Sequence, residues 1–272
     1  MPVNEIHPGM PEAEYRAATG AHATALWTLI DRSPAHYRYE QEHPREQTPA
    51  MLFGAACHCW MLDRDRFDER FYVAAPCDRR TREGKAAWAA ADHYAGERTV
   101  ISFEDHARMQ AMSERVLYND EARGFLELEG ASEVAIFWTD QATGLQCKGR
   151  IDRLVKGVQI LDLKTCENAK RGPFERHASD YGYWMQLAFY ADGLRANGVR
   201  PLVPRIIAVE KDPPYEVAVH KIGEAGLDLG RRQYAEALAL LARCERSGEW
   251  PGYQGEYEIN PPAWALRTTI VE

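Results

Sequence analysis

Between Gln146 and Thr165 the chain sets two aspartates and a lysine into runs that otherwise read as β-strand, with Lys156-Gly157 marking a turn between them. In the second run, side chains alternate, so Ile160, Asp162 and Lys164 share one face while Leu161 and Leu163 share the other. A carboxylate and an ammonium in such a strand cost free energy unless they are paired or bind an ion. The length of the turn decides what they can do. A two-residue turn pairs Val155 with Val158 and sends Asp152 to the face opposite Asp162. A three-residue loop, Lys156 to Val158, pairs Val155 with Gln159 and places Asp152 directly across from Asp162. Cross-strand Cβ atoms are then about 4.5–5.5 Å apart, where two carboxylates repel. A hard divalent cation removes the repulsion, because converging carboxylates are its preferred ligands. The expectation is an odd-length loop, or an equivalent bulge, and a metal between Asp152 and Asp162.

Two helical spacings add candidates. Gly54 and His58 lie one turn apart in a helix opened by Thr48-Pro49; His58 can offer a neutral imidazole nitrogen to a metal, or can simply be packed. Gln186 and Tyr190 lie one turn apart in a later helix; Tyr190 can equally be core, whereas Gln186 is harder to place there.

Taken in order, Gly54-x-x-x-His58, Gly149-Arg150-Ile151-Asp152-Arg153, Asp162-Leu163-Lys164-Thr165 and Gln186-x-x-x-Tyr190 resemble the motifs of the PD-(D/E)XK nucleases, in the branch of RecB and the exonuclease VIII (RecE-like) C-terminal domain of phage type. Arg32-Ser33-Pro34-Ala35-His36-Tyr37 is similar to that domain too, and the likeness covers roughly residues 10 to 250. The resemblance implies a restriction-endonuclease-like α/β fold, a mixed central sheet flanked by helices. It also implies a metal-dependent exodeoxyribonuclease that digests double-stranded DNA from a 5′ end and leaves single strands for recombination. In that scheme two Mg²⁺ or Mn²⁺ ions are held by Asp152, Asp162, the Leu163 backbone carbonyl and His58, with Glu133 as a further ligand or only a sheet-edge glutamate. Lys164 serves the attacking water and the phosphate, and Gln186 and Tyr190 complete the site. The partners implied are DNA ends, a ring-shaped homo-oligomer of three or four subunits, and a single-strand annealing protein. A RecB-like single-strand or repair nuclease, and a non-catalytic DNA-end-binding module, are the alternatives. Some relatives hold an iron–sulfur cluster on one early cysteine and a tight C-terminal group. Here only Cys244 lies beyond Cys166, so no cluster is expected.

The elements that must position these residues fit one domain. The 272 residues can bury one large core, and no linker divides them: a helical N-terminal part over about residues 10–130 precedes a sheet core over about 131–222. Scattered cysteines, no long apolar run and no signal peptide point to reduced thiols, a cytoplasmic location and no membrane partner. The net charge of −8 argues against a general nucleic-acid coat protein. Locally the sign reverses: eight Lys/Arg face four Asp/Glu between Leu145 and Arg176, and Arg79, Arg80, Arg82 and Lys85 form a second basic cluster. Arg150, Arg153, Arg32, Arg79 and Arg80 are therefore candidate DNA contacts, with solvated surface charge as the plain alternative. Residues 1–20 read as a loose arm, 64–130 as largely helical, 78–85 as an exposed basic loop, and the tail beyond Trp250, with Pro261 and Pro262, as irregular.

Overall fold

The structure, a computed structural model, describes residues 4–43 and 46–261. The elements in chain order are β1 (Glu5–His7), α1 (Glu12–Ala17), α2 (Ala23–Asp31), α3 (Pro34–Glu42), α4 (Pro49–Leu62), α5 (Phe67–Arg70), β2 (Phe71–Val73), α6 (Arg82–Ala95), β3 (Thr99–Ile101), α7 (Phe103–Tyr118) and α8 (Asp120–Leu126). There follow β4 (Gly130–Thr139), β5 (Gln146–Val155), β6 (Gln159–Cys166), α9 (Arg171–Asp180), α10 (Tyr183–Ala196), β7 (Arg205–Glu210), β8 (Val217–Lys221) and α11 (Glu224–Ser247). Local chemistry sets several starts. Thr48 accepts a hydrogen bond from the Met51 amide at 3.3 Å with Pro49 in the first helical position, and Ser102 accepts from the Asp105 amide at 3.0 Å.

Six strands form one sheet in the order β1-β4-β5-β6-β7-β8; only β6 and β7 run parallel, joined by a crossover that carries α9 and α10. The fold class is the expected α/β arrangement. Ile136, Ile151 and Ile160 meet α2, α10 and α11 on one face; Leu163, Ile207 and Val209 meet α4 and α7 on the other. Alternation along β6 is thus as its sequence requires. Close approach of α10 and α11 depends on Gly230, where a Cβ would fall 2.1 Å from the Trp184 carbonyl oxygen.

Three expectations need correction. The N-terminal arm is structured: β1 pairs antiparallel with β4, and α1 is pinned although none of its residues is buried. The anchor is Lys148, buried in β5, whose Nζ donates to the carbonyls of Tyr15 at 3.0 Å, Arg16 at 3.4 Å and Ala18 at 2.6 Å, the end of α1 where a cation is favoured. The helical stretch before the sheet also contains a parallel strand pair, β2 with β3. The basic loop stops at Thr81, which caps α6 by accepting from the Gly84 amide at 3.0 Å. Of the tail, Pro262 onward lies outside the described residues.

Candidate active site

The β5–β6 hairpin has the odd register. Val155 pairs with Gln159, Leu154 with Ile160 and Arg153 with Leu161. Lys156 and Gly157 both have positive φ, 49° and 69°, as the centre of a tight hairpin turn requires, and Val158 is the extra residue. One step further the ladder would join Asp152 to Asp162, and there it opens. Asp152 Oδ2 fills the gap and accepts a hydrogen bond from the Leu163 amide at 2.8 Å, taking over a donor the ladder leaves free. The β4–β5 ladder is interrupted at the same level: Ser132 pairs with Arg153 and Val134 with Ile151, while Glu133, between them, has φ 54°. A non-glycine residue in that region is uncommon and costs about 1–3 kcal/mol, a strain that tends to persist at functional sites. Glu133, Asp152 and Asp162 therefore stand in one row across three strands, at the level where the sheet is least regular.

His58, from α4, reaches the row: its Nδ1 lies 3.4 Å from Asp152 Oδ2. Burial first, then the Lys164 charge, hold its pKa below the ordinary histidine value, so the ring is neutral near pH 7. Gly54, one turn earlier, is not required by close packing; a Cβ there would meet open space. Asp162 is 1% exposed, and its Oδ1 has no polar partner. Its one close partner is the Lys164 ammonium, 2.7 Å from Oδ2 as an ion pair. Burial, aided by Asp152 and opposed by Lys164, pushes the Asp162 carboxyl up to about 6. Burial acts against the Lys164 charge, but Asp162 and Asp152 outweigh it, so this lysine stays protonated. Burial and Asp152 likewise raise Glu133, whose Oε2 lies 2.6 Å from Arg150 Nε.

Gln186 and Tyr190 sit together on α10, the Gln186 amide donating to the Tyr190 hydroxyl at 3.2 Å. Tyr190 belongs to the core, 8% exposed, and its ring explains Gly149: a Cβ there would be 2.8 Å from two ring carbons. Arg150 lines a cleft of about 260 Å³ with His58, Glu133, Asp152, Arg70 and Tyr15. The other candidate arginines are directed elsewhere. Arg153 donates to Ser132 Oγ and the Leu126 and Leu128 carbonyls. Arg32 pairs with Glu40 at 2.9 Å, Arg79 stacks 4.0 Å over Trp88, and Arg80 chelates Asp78. None of these contacts brings them to the row of carboxylates. Sequence reasoning missed Glu12 and Tyr15 of α1, which the assumed loose arm concealed, and Arg70, which binds Glu12 across the cleft. Pro11 followed by Glu12 and Glu14 was the available signal for a helix start.

Whether these residues suit a metal can be judged from the donors. Among the described residues no three His, Cys, Asp or Glu side chains are close enough together to enclose an ion as they stand. The unpartnered Oδ1 of Asp162 is nevertheless what a cation would satisfy, and carboxylates with one imidazole are the donors that Mg²⁺ or Mn²⁺ accepts. The donor set fits a divalent cation.

A sheet opened at an Asp, with Asp-x-Lys on the next strand, defines the PD-(D/E)XK class, whose chemistry is that of a hydrolytic nuclease. The chain belongs to the family described as a PDDEXK-like domain of unknown function (DUF3799), whose model matches residues 25–260. Among solved structures it is similar to the "Putative exonuclease" of Eubacterium rectale, with a TM-score of 0.64, 14% identity, and coverage of 97% of this chain and 100% of that one. SSO0001 overlaps at a TM-score of 0.35 and 16% identity, over 84% of this chain and 81% of that one, too distant to carry an argument. No curated protein matches the sequence. Among the described residues no helix is long and apolar enough to cross a membrane.

Proposed function

We propose that this protein is a metal-dependent exodeoxyribonuclease that hydrolyses phosphodiester bonds of double-stranded DNA from a 5′ end. The observation that carries the reading is the buried Asp162 carboxylate, whose Oδ2 meets the Lys164 ammonium and whose Oδ1 has no partner, one strand from Asp152. A structural role does not account for a carboxylate in a core strand with one oxygen unpartnered; a site for a cation and a phosphate does. Asp152, Asp162, the Leu163 carbonyl and His58 are the residues that would hold Mg²⁺ or Mn²⁺, two ions in this reading, and Glu133 stands next in the row. When bound, such ions neutralise charge on the phosphate and lower the pKa of water.

The chain's own groups do the rest. Lys164 stays protonated, so it orients the water and stabilises charge developing on the phosphate rather than accepting a proton. Tyr190 accepts a hydrogen bond from Gln186, which in this reading completes the site. Arg150, its Nη1 without a hydrogen bond, and Arg70 offer donors to the DNA backbone along the cleft. With a net charge of −8, adhesion to DNA is weak, and a closed ring of three or four copies would supply persistence instead. Lys148 and Arg153 are engaged in internal hydrogen bonds and are not among the groups offered to DNA. Such an enzyme leaves single strands suited to an annealing protein. Linear duplexes labelled at either the 5′ or the 3′ end, incubated with Mg²⁺, test the polarity. Early release of a 5′ mononucleotide is expected; early release from the 3′ end, or cleavage confined to single strands, overturns it.

A further inference from the structure

An aromatic cluster leads outward from Lys164, its inner ring Tyr183 packed on the core and its outer ring Tyr181 exposed. Lys164 Nζ lies 4.8 Å from the Tyr183 ring centroid, at the first residue of α10. The Tyr183 hydroxyl is 3.2 Å from His177 Nε2, which fixes both rings. Tyr181 sits next: its centroid is 4.4 Å from His177 and 6.0 Å from Tyr183, and the side of its ring away from them is open, the residue being 61% exposed. The turn that carries it is held rigidly. The Tyr181 amide donates to the His177 carbonyl at 3.1 Å, and Gly182, at φ 68°, packs so tightly on Trp27 that a Cβ would fall 2.5 Å from the indole. An exposed aromatic on a pinned turn, joined ring by ring to the group that handles the phosphate, has the form of a stacking surface.

We propose that Tyr181, backed by His177 and Tyr183, is a base-stacking platform for an unpaired nucleotide flanking the scissile phosphate, which holds a single strand in the site. Every base has a π-face, so such a platform is indifferent to sequence, as an exonuclease needs. Lys164 connects the two functions: its ammonium faces both the phosphate position and the Tyr183 ring, so a base on Tyr181 and the phosphate beside it are fixed relative to one another. The inference rests on the nuclease reading and is tested so that the two can fail separately.

The probe is a single-stranded oligonucleotide carrying 2-aminopurine at one of its last few positions, titrated with the full chain in EDTA so that nothing is cleaved. Stacking quenches its emission. The wild type is expected to quench at one or two adjacent positions, and Tyr181→Ala to lose the quench and bind roughly ten- to a hundredfold more weakly. Tyr181→Phe and Tyr181→Trp should retain both. Replacing that nucleotide with an abasic one should weaken the wild type to the level of Tyr181→Ala and leave that variant unchanged. Hydrolysis of duplex DNA with Mg²⁺ is followed in parallel. A wild type that neither binds nor hydrolyses DNA overturns the nuclease reading and this one with it. A wild type that hydrolyses DNA while Tyr181→Ala matches it in quenching and affinity overturns the platform alone.

Discussion

Replacing Asp162 with Asn is expected to make the protein more stable and inactive at once. Asp162 is buried and its carboxyl is pushed from an ordinary 3.8 up to about 6, chiefly by burial. A folded-state pKa above the unfolded value means that the folded chain binds the proton more tightly, so ionising the group disfavours folding. The cost is absent below pH 3.8, grows as pH rises from 3.8 to 6, and is fully present above 6. A shift of about two units corresponds to about 3 kcal/mol. The asparagine is neutral at every pH, so in the absence of divalent cations it should gain about 3 kcal/mol at pH 8, or roughly 6 to 12 °C in melting temperature, and only about half a kcal/mol at pH 4. Thermal melts of both proteins in EDTA at the two pH values check this. Millimolar Mg²⁺ should then stabilise the wild type and not the variant, because a ligand that binds only the folded state adds to its stability. An equal effect at pH 4 and pH 8, or a destabilised variant at pH 8, would refute the assignment of Asp162 as a carboxylate whose burial outweighs its pairing with Lys164.

Three further outcomes follow from the same geometry. Activity at limiting Mg²⁺ should fall as pH drops through about 6, where Asp162 takes up a proton, and the midpoint should move lower with more metal; an acid limb indifferent to metal concentration contradicts this. His58→Ala should weaken metal binding by at least about tenfold, read by calorimetric titration, with a melting temperature close to that of the parent; an unchanged isotherm makes His58 a packing residue. Gly149→Ala forces a methyl to within 2.8 Å of the buried Tyr190 ring and should cost about 1–3 kcal/mol in a denaturant melt, relieved when Tyr190→Leu is added; no loss of stability would show that the ring moves freely.

Much of the site could be read from the sequence because its cost could. Two charged residues in an apolar strand demand compensation, and the period of two fixes which turn lets Asp152 meet Asp162; the observed pairing of Val155 with Gln159 is that register. What could not be read was the opening of the ladder at that level. It depends on β6 pairing with β7, almost fifty residues away, and on a positive φ at Glu133 that no local residue preference announces. The place of α1 was hidden for a similar reason. Six residues with no buried side chain make no stable helix alone, and the anchor is Lys148, more than 130 residues later. Tyr183 could have been found three residues before Gln186, on the same side of α10.

The central claim is that Asp152, Asp162 and Lys164 form a metal-dependent hydrolytic centre for DNA. Its most direct test compares the rate at which the wild type and Lys164→Ala release nucleotides from a linear duplex with Mg²⁺ present. Release by the wild type, stopped by EDTA, and a loss on the order of a thousandfold in a variant that still melts cooperatively is the result the account predicts. A wild type inert with both Mg²⁺ and Mn²⁺, or a Lys164→Ala variant that digests DNA as fast as its parent, would contradict it.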